Sequence, residues 1–258
     1  MRTPGLLVAL AVLAAAFFAL PLVGLVAEAP WSAVGGALLS PRVTRAALLS
    51  LGASTAAVAL GLVLAFPLAW VLARTRFPGR RWVRGLVLLP MVLPPVVAGV
   101  GLLTAFGRRG LLGGALDAAG ISVPFTTFAV VLAATFVSAP FLVVTLEAGL
   151  AGLDRGLEEA AATLGASDLR ILATVILPGL GPALAAGIAL AWTRALGEFG
   201  ATITFAGNLR GRTQTLPLAV YELLQTDAGA AILVSVVLLA ICLAAVALVR
   251  SGAFGEPR

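Results

Sequence analysis

Two opposite charges stand four residues apart in a stretch that is otherwise apolar: Arg194 and Glu198, within residues 179–206. On one helix, residues at this spacing share a face. A guanidinium and a carboxylate placed so neutralise each other, the least costly arrangement for ionisable groups at membrane depth. Such a pair serves either as a tie within a helical bundle or as charge on a path that an ion crosses, and the residues alone leave both readings open. Gly197, Gly200 and Gly207 weaken the helix around Glu198 or let helices approach closely. The eleven residues from Phe199 to Leu209 carry no charge. They are too few to span, so they continue the helix outward or fold back into its outer mouth. A second irregular point is Pro90, Pro94 and Pro95, which remove backbone donors over six residues and force a kink or an unwound turn. Pro67 and Pro140 act similarly in their own stretches. Broken helices inside membranes usually line cavities or interfaces. Pro94, Pro95, Arg194, Glu198 and Phe199 are therefore the candidate path residues. Beyond them, Arg210 and Arg212 either raise the local anion concentration or are ordinary loop charges.

The elements that must position these residues are set by composition. The 258 residues are 61% hydrophobic and 11% charged, with a mean hydropathy of +1.11, against roughly 25% charged in ordinary soluble domains. A soluble globule is excluded. All seventeen basic residues are Arg, against eleven acids, for a net charge of +6 with no Lys and no His. Without Lys there is no phosphate-loop lysine, and without His there is no serine-hydrolase base and no histidine metal ligand. Ser138 and Asp117 lie on different segments and lack such a base, which sets intramembrane hydrolysis aside. The single Cys242 sits in an apolar run and reads as core filler.

Six stretches approach the roughly 20 apolar residues that cross a hydrocarbon layer: about 6–27, 46–73, 85–106, 124–146, 179–206 and 228–249. The first exceeds the roughly 7–15 apolar residues of a signal peptide and reads as an uncleaved span. In the fifth, a helix started at Gly179 puts Arg194 and Glu198 about 22 and 28 Å along. Short loops rich in Arg stay in the cytoplasm. With both termini inside, the inner segments hold Arg2, Arg74, Arg76, Arg80, Arg81, Arg84, Arg155, Arg170, Arg250 and Arg258. The outer loops hold six: Arg42, Arg45, Arg108, Arg109, Arg210 and Arg212. The bias places both termini in the cytoplasm. Residues 1–258 show no repeat and no soluble portion, so they read as one membrane domain.

The longest polar interruption with internal order is residues 147–178, on the inner side. Asp154 is placed to cap a helix reading RGLEEAAATLGA, with Glu158 and Glu159 in its first turns and Gly165 ending it. A second short helix starts at Ser167 or Asp168, and Pro178 lets the chain restart as the fifth span. This segment is either a solvated hairpin between two spans or a small Ala-faced helix shaped to enter a groove on a partner.

The string EAAATLGASDLRILATVILP, Glu159 to Pro178, resembles the cytoplasmic signature of ABC-importer permeases: Glu-Ala-Ala, three residues, Gly, nine residues, an aliphatic, one residue, Leu-Pro. Val175 stands where Ile is usual. Downstream, ALGEFGATITFAGN (Ala195 to Asn208), TQTLPLAVY (Thr213 to Tyr221) and the VLPPVVAGVGLL run at 92–103 are similar to molybdate-type permeases, with sulfate permeases sharing parts. The family places a proline where Arg210 stands. The resemblance implies an all-α integral membrane protein of six transmembrane helices with the type I importer permease fold, in a bacterial or archaeal cytoplasmic membrane. It implies that Leu157, Glu158, Glu159, Ala160, Ala161, Leu164 and Gly165 couple to a separate ATPase. It further implies a homodimer in the lipid bilayer with two ATPase subunits, which hold ATP and magnesium. An external oxyanion-binding protein completes the set. This chain itself carries no cofactor or metal and binds no nucleic acid. Tungstate or sulfate as cargo, or a passive channel or assembly subunit, are the competing readings.

Overall fold

The computed structural model describes residues 4–253, with side chains described through residue 247. Arg2 and Arg258, counted in the charge bias, lie outside the described residues, and Arg250 lies beyond the described side chains. Every regular element described is helical. In chain order these are α1 (Gly5–Ala27), α2 (Val34–Leu38), α3 (Pro41–Arg74), α4 (Arg80–Val92), α5 (Pro95–Phe106), α6 (Gly113–Ala118) and α7 (Thr127–Gly152). Then come α8 (Arg155–Thr163), α9 (Asp168–Ile171), a π turn (Leu172–Ile176), α10 (Leu177–Gly179), α11 (Gly181–Leu196), α12 (Gly200–Phe205), α13 (Leu216–Leu223) and α14 (Ala228–Ala253).

Helices α1, α3, α7 and α14 are each long and apolar enough to cross a membrane alone. Two bent pairs complete six spans: α4 with α5, at 118°, and Asp168–Gly179 with α11, at 68°. The ends of the long helices follow local rules. Ser40 accepts from the Val43 amide at 3.4 Å with Pro41 opening α3, and Thr126 accepts from the Ala129 amide at 3.2 Å to open α7.

Helix α7 is the hub. It packs on α3 and α11 most extensively and also on α4, α5 and α12, and it is apolar all round, as a helix with neighbours on every side must be. Its Leu142, Leu146 and Leu150 close one core with Ala65, Ala69 and Leu72 of α3, while Ala129, Val130 and Ala133 close another with Ala98 of α5 and Ala201 and Phe205 of α12. At the other extreme, α1 has no buried residue, so its apolar surface lies outside the packed bundle.

Three sequence expectations change. The third span takes the unwound of its two expected forms, whereas the other proline sites and the bounds of the fourth and fifth spans differ. Leu93 and Pro94 each precede a proline, which disfavours helical backbone, and both adopt extended ψ values of 135° and 133°. Pro67 and Pro140, by contrast, sit inside the continuous helices α3 and α7. The fourth span runs past residue 146 to Gly152 and takes in Glu147. That carboxylate is paired with Arg84 and with Arg80, the latter at 3.6 Å, both on α4. The fifth span begins before Gly179, bends at Leu180 and ends at Leu196, well short of 206.

Small residues set how closely α11 approaches α7. A Cβ on Gly149 would lie 2.6 Å from the Cβ of Ala183, an overlap that no side-chain rotation relieves. Gly149→Ala should therefore lower stability by about 1–3 kcal/mol, read as a lower thermal midpoint of the detergent-solubilised protein. Adding Ala183→Gly should restore most of it, and an unshifted midpoint for Gly149→Ala would contradict this packing.

Candidate functional site

The segment between α7 and α11 is built by explicit capping. The Asp154 side chain accepts from the Gly156 amide at 2.8 Å, opening α8. At its far end, Gly165 adopts φ +83°, a left-handed conformation that favours glycine. There the Gly165 amide donates to Ala162 O at 2.9 Å and the Ala166 amide to Ala161 O at 3.1 Å. This paired closure satisfies the last carbonyls of the helix, and the half-buried Ala161 and Ala166 pack on the core shared by α3 and α7. A second short helix starts at Asp168, as its sequence indicated, but it runs on through the π turn into α10 before the bend.

The residues expected to couple fall on two faces of α8. Leu157, Glu159, Ala160, Leu164 and Gly165 are exposed, Leu157 by 60% and Leu164 by 89%. Glu158 and Ala161 turn inward. Glu158 Oε1 lies 2.5 Å from Nη2 of Arg74, the last residue of α3. The two carboxylates adjacent in sequence thus have different surroundings, one open and one latched.

Glu198 is 2% exposed. It does not sit four residues along a continuous helix from Arg194, because α11 stops at Leu196. It pairs with Arg194 all the same: Glu198 Oε2 lies 2.7 Å from Arg194 Nη1. Its other oxygen accepts from the Ala201 amide at 2.7 Å, so one carboxylate both neutralises the cation and starts α12. The apolar run after it therefore restarts as a separate short helix that still advances along α7, so that Phe205 O accepts from the Phe125 amide at 3.4 Å, just before the start of α7. Phe199, at φ −129° and ψ −57°, turns its ring onto Tyr221 with centroids 5.2 Å apart. Both rings line an open apolar cleft of about 500 Å³ with α13 and α14.

The two irregular points of the sequence meet in space. A Cβ on Gly200 would overlap Pro95, and one on Gly99 would lie 2.6 Å from the Thr204 side chain and 2.8 Å from Ala201 O. Helices α5 and α12 thus touch nearly backbone to backbone, bringing Pro95 beside the Glu198–Phe199 turn. Of the candidate path residues, Pro95, Arg194, Glu198 and Phe199 gather at this crossing, with Pro94 at the adjoining break.

At the end of the bundle opposite α8, Glu222 collects Arg42 at 2.9 Å, Arg210, and the amide of the buried Gln214. Its hydrogen bond to Arg210 holds the Glu222 carboxyl below the usual carboxylate range. Arg210 is therefore a brace between its loop and α13 rather than a free basic group. Arg212 is exposed and lines, with Arg108 and Arg109, a separate cleft of about 730 Å³. The Glu222 cluster and the Arg74–Glu158 pair were not read from sequence. The Arg74–Glu158 partners are 84 residues apart, and no local spacing marks either set.

Comparison with known proteins follows this geometry. The ModB molybdenum transport system permease protein of Mycobacterium tuberculosis is 47% identical over 225 residues, covering 87% of this chain and 85% of the relative. The CysT sulfate transport system permease protein of Salmonella typhimurium is 40% identical over 225 residues, covering 86% and 81%. In fold, a chain of the bacterial ABC transporter that imports the acidic polysaccharide alginate superposes with a TM-score of 0.71 at 19% identity, covering 96% of each chain. Residues 57–252 match the binding-protein-dependent transport system inner membrane component, and this chain belongs to that family of multi-pass inner-membrane permeases.

Proposed function

We propose that this chain is the permease subunit of an ATP-driven importer of tetrahedral oxyanions, with molybdate as cargo, and that α8 couples it to a separate ATPase. The observation that carries the coupling reading is the free face of α8: Leu157, Glu159, Ala160 and Leu164 stand exposed on a helix whose cap and closure are complete within the chain. A rigid, partly apolar helix projecting from a membrane bundle is the kind of element that fills a groove on a partner. The chain has no lysine for a phosphate loop, so ATP and magnesium belong to two partner ATPase subunits. A second copy of this chain and an external oxyanion-binding protein complete the assembly. The whole of residues 1–258 acts as one domain, with both termini in the cytoplasm.

Molybdate is favoured over sulfate because the relative named for molybdenum is the more similar, at 47% against 40%. Tungstate shares the tetrahedral dianion and stays within the proposal. The path runs by the crossing of α5 and α12, where Arg194 supplies positive charge to an ion that leaves water and Glu198 limits how tightly that ion is held.

Three outcomes test this reading. Gly165→Trp places a bulky residue where φ is positive, at a strain of about 1–2 kcal/mol. The reconstituted complex should then lose the ATPase subunit or its substrate-stimulated hydrolysis while the permease stays inserted. Normal stimulation would remove the coupling role and favour a passive channel.

For orientation, in a Cys242→Ala background, Arg76→Cys and Ala162→Cys should be shielded from a membrane-impermeant thiol reagent added to intact cells, and Arg212→Cys labelled. Labelling at position 76 would invert the topology.

For the path, Glu198→Ala strands Arg194 and uncaps α12. Its cost falls below the roughly 3–5 kcal/mol of a fully buried pair, because 31% of the Arg194 side chain is exposed. The double change Arg194→Leu with Glu198→Gln keeps an acceptor for the Ala201 amide. It should fold and assemble yet import molybdate about tenfold more slowly, a barrier rise of about 1.4 kcal/mol. Full uptake per assembled complex would reduce the pair to packing.

A further inference from the structure

Helix α8 has no buried residue. Apart from its chain connections, among the described residues it is held by the half-buried Ala161 and by one polar contact, Glu158 with Arg74. That contact is unlike an open surface pair. The Arg74 side chain is 10% exposed and that of Glu158 23%. The guanidinium carbon lies 5.8 Å from the centroid of the Trp70 ring, one turn earlier on α3, and Trp70 lies against Phe66 at 6.1 Å. Arg74 is thus held between an aromatic face and a carboxylate, which leaves its long side chain little rotational freedom. Both ions also sit at the helix ends that favour them. Arg74 is in the last turn of α3 and Glu158 in the first turn of α8, so the pair joins the negative end of one helix dipole to the positive end of the other.

The other inward ion pairs at this end have a different reach. Arg80 and Arg84 fasten α4 to Glu147 of α7, and neither touches α8. Through the chain itself, α8 leads only to α7 on one side and to α9 and α11 on the other. Arg74 therefore supplies a direct polar link from α8 to α3. Further along α3, Thr55 Oγ1 accepts from Trp192 Nε1 at 3.2 Å, two residues before Arg194. The same continuous helix thus touches α8 at one end and α11, next to the charged crossing, further along.

We propose that Arg74 and Glu158 are positioning residues that latch the docking helix to the end of the second span, so that displacement of α8 is imposed on α3, and that neither residue touches the ATPase. The proposal rests on the reading of α8 as the ATPase-docking helix. It divides the paired acids of that helix into Glu159, which faces outward, and Glu158, which faces inward.

The test uses the full complex of permease, ATPase and binding protein in proteoliposomes, with molybdate as the probe. Arg74→Glu and Glu158→Arg should each lower the molybdate imported per ATP hydrolysed by about fivefold or more, the low end of coupling between two sites, while the ATPase still copurifies. The charge-swapped double variant should recover the ratio to within about twofold of the unaltered protein, because a pair of opposite sign is restored. If the reversed charges prevent accumulation, Glu158→Gln and Arg74→Lys serve instead. Glu158→Gln keeps an acceptor but no charge and should lower the ratio by about threefold or more, whereas Arg74→Lys keeps charge without the planar fork and should lower it less. Unchanged ratios in the single variants overturn the latch. So does loss of ATPase binding in Glu158→Arg alone without rescue by Arg74→Glu, which would make Glu158 an ATPase contact. Gly165→Trp, run alongside, separates the two failures. If that variant keeps normal stimulated hydrolysis, the docking reading falls, whereas loss of coupling there with no effect at Arg74 and Glu158 leaves docking standing and removes only the latch.

Discussion

The carboxylate of Glu198 is the interaction on which the membrane part of this chain turns. Inside a bilayer a broken helix leaves amides and carbonyls that water cannot satisfy, so a break persists only where the protein provides partners. Glu198 provides two services from one group, pairing with Arg194 and accepting from the Ala201 amide. With the helix interrupted and restarted as α12, Gly200 meets Pro95 and Ala201 meets Gly99, so the break in the fifth span comes to lie against the one in the third. Replacing the carboxylate by an apolar group would strand a guanidinium and an amide at once, which is why the surrounding helices must be small-faced and closely fitted.

What the sequence discloses of this arrangement, and what it hides, has a physical logic. The continuous spans were legible because nothing but length and hydropathy decides them, although α3 reaches back past its apolar stretch to the Ser40 cap and on to Arg74, and α7 starts at its Thr126 cap and runs on to Gly152. The capping of α8 by Asp154 and its closure at Gly165 were legible because both act within a few residues. The end of the fifth span was not. An apolar run from Phe199 to Phe205 has the hydropathy of a continuing helix, and the non-helical Phe199, with the Glu198 carboxylate closing on the Ala201 amide, interrupts it. Nor does helical spacing say which side of α8 faces the bundle. Glu158 and Glu159 are equivalent in composition, and Arg74 alone distinguishes them.

The use of arginine without lysine fits the way the ends of the bundle are fastened. Glu147 takes Arg80 and Arg84, and Glu222 takes Arg42 and Arg210. Each carboxylate thus ties two cations, which the planar, multiply donating guanidinium suits better than a single ammonium point. At the end opposite α8, the Glu222 cluster draws together the start of α3, the loop after α12 and α13. At the α8 end, two separate carboxylates, Glu147 and Glu158, secure α4 to α7 and α8 to α3. The ends are held by polar contacts near water, and the middle by alanine, glycine and leucine packed on α7.

Helix α11 is the element this distribution isolates. It is bounded by the bend at Leu180 and by the turn at Gly197, an uninterrupted helix of sixteen residues, about 24 Å long. Its contact with α7 is set by Gly149 meeting Ala183 and by Gly187 meeting Thr145, and its contact with α3 includes Trp192 on Thr55. One end adjoins the α8 segment and the other carries Arg194 to Glu198. The backbone irregularities along this part of the chain therefore fall where the α8 segment joins the bundle, at the π turn and the bend at Leu180, and where the charged pair sits, with α11 between them.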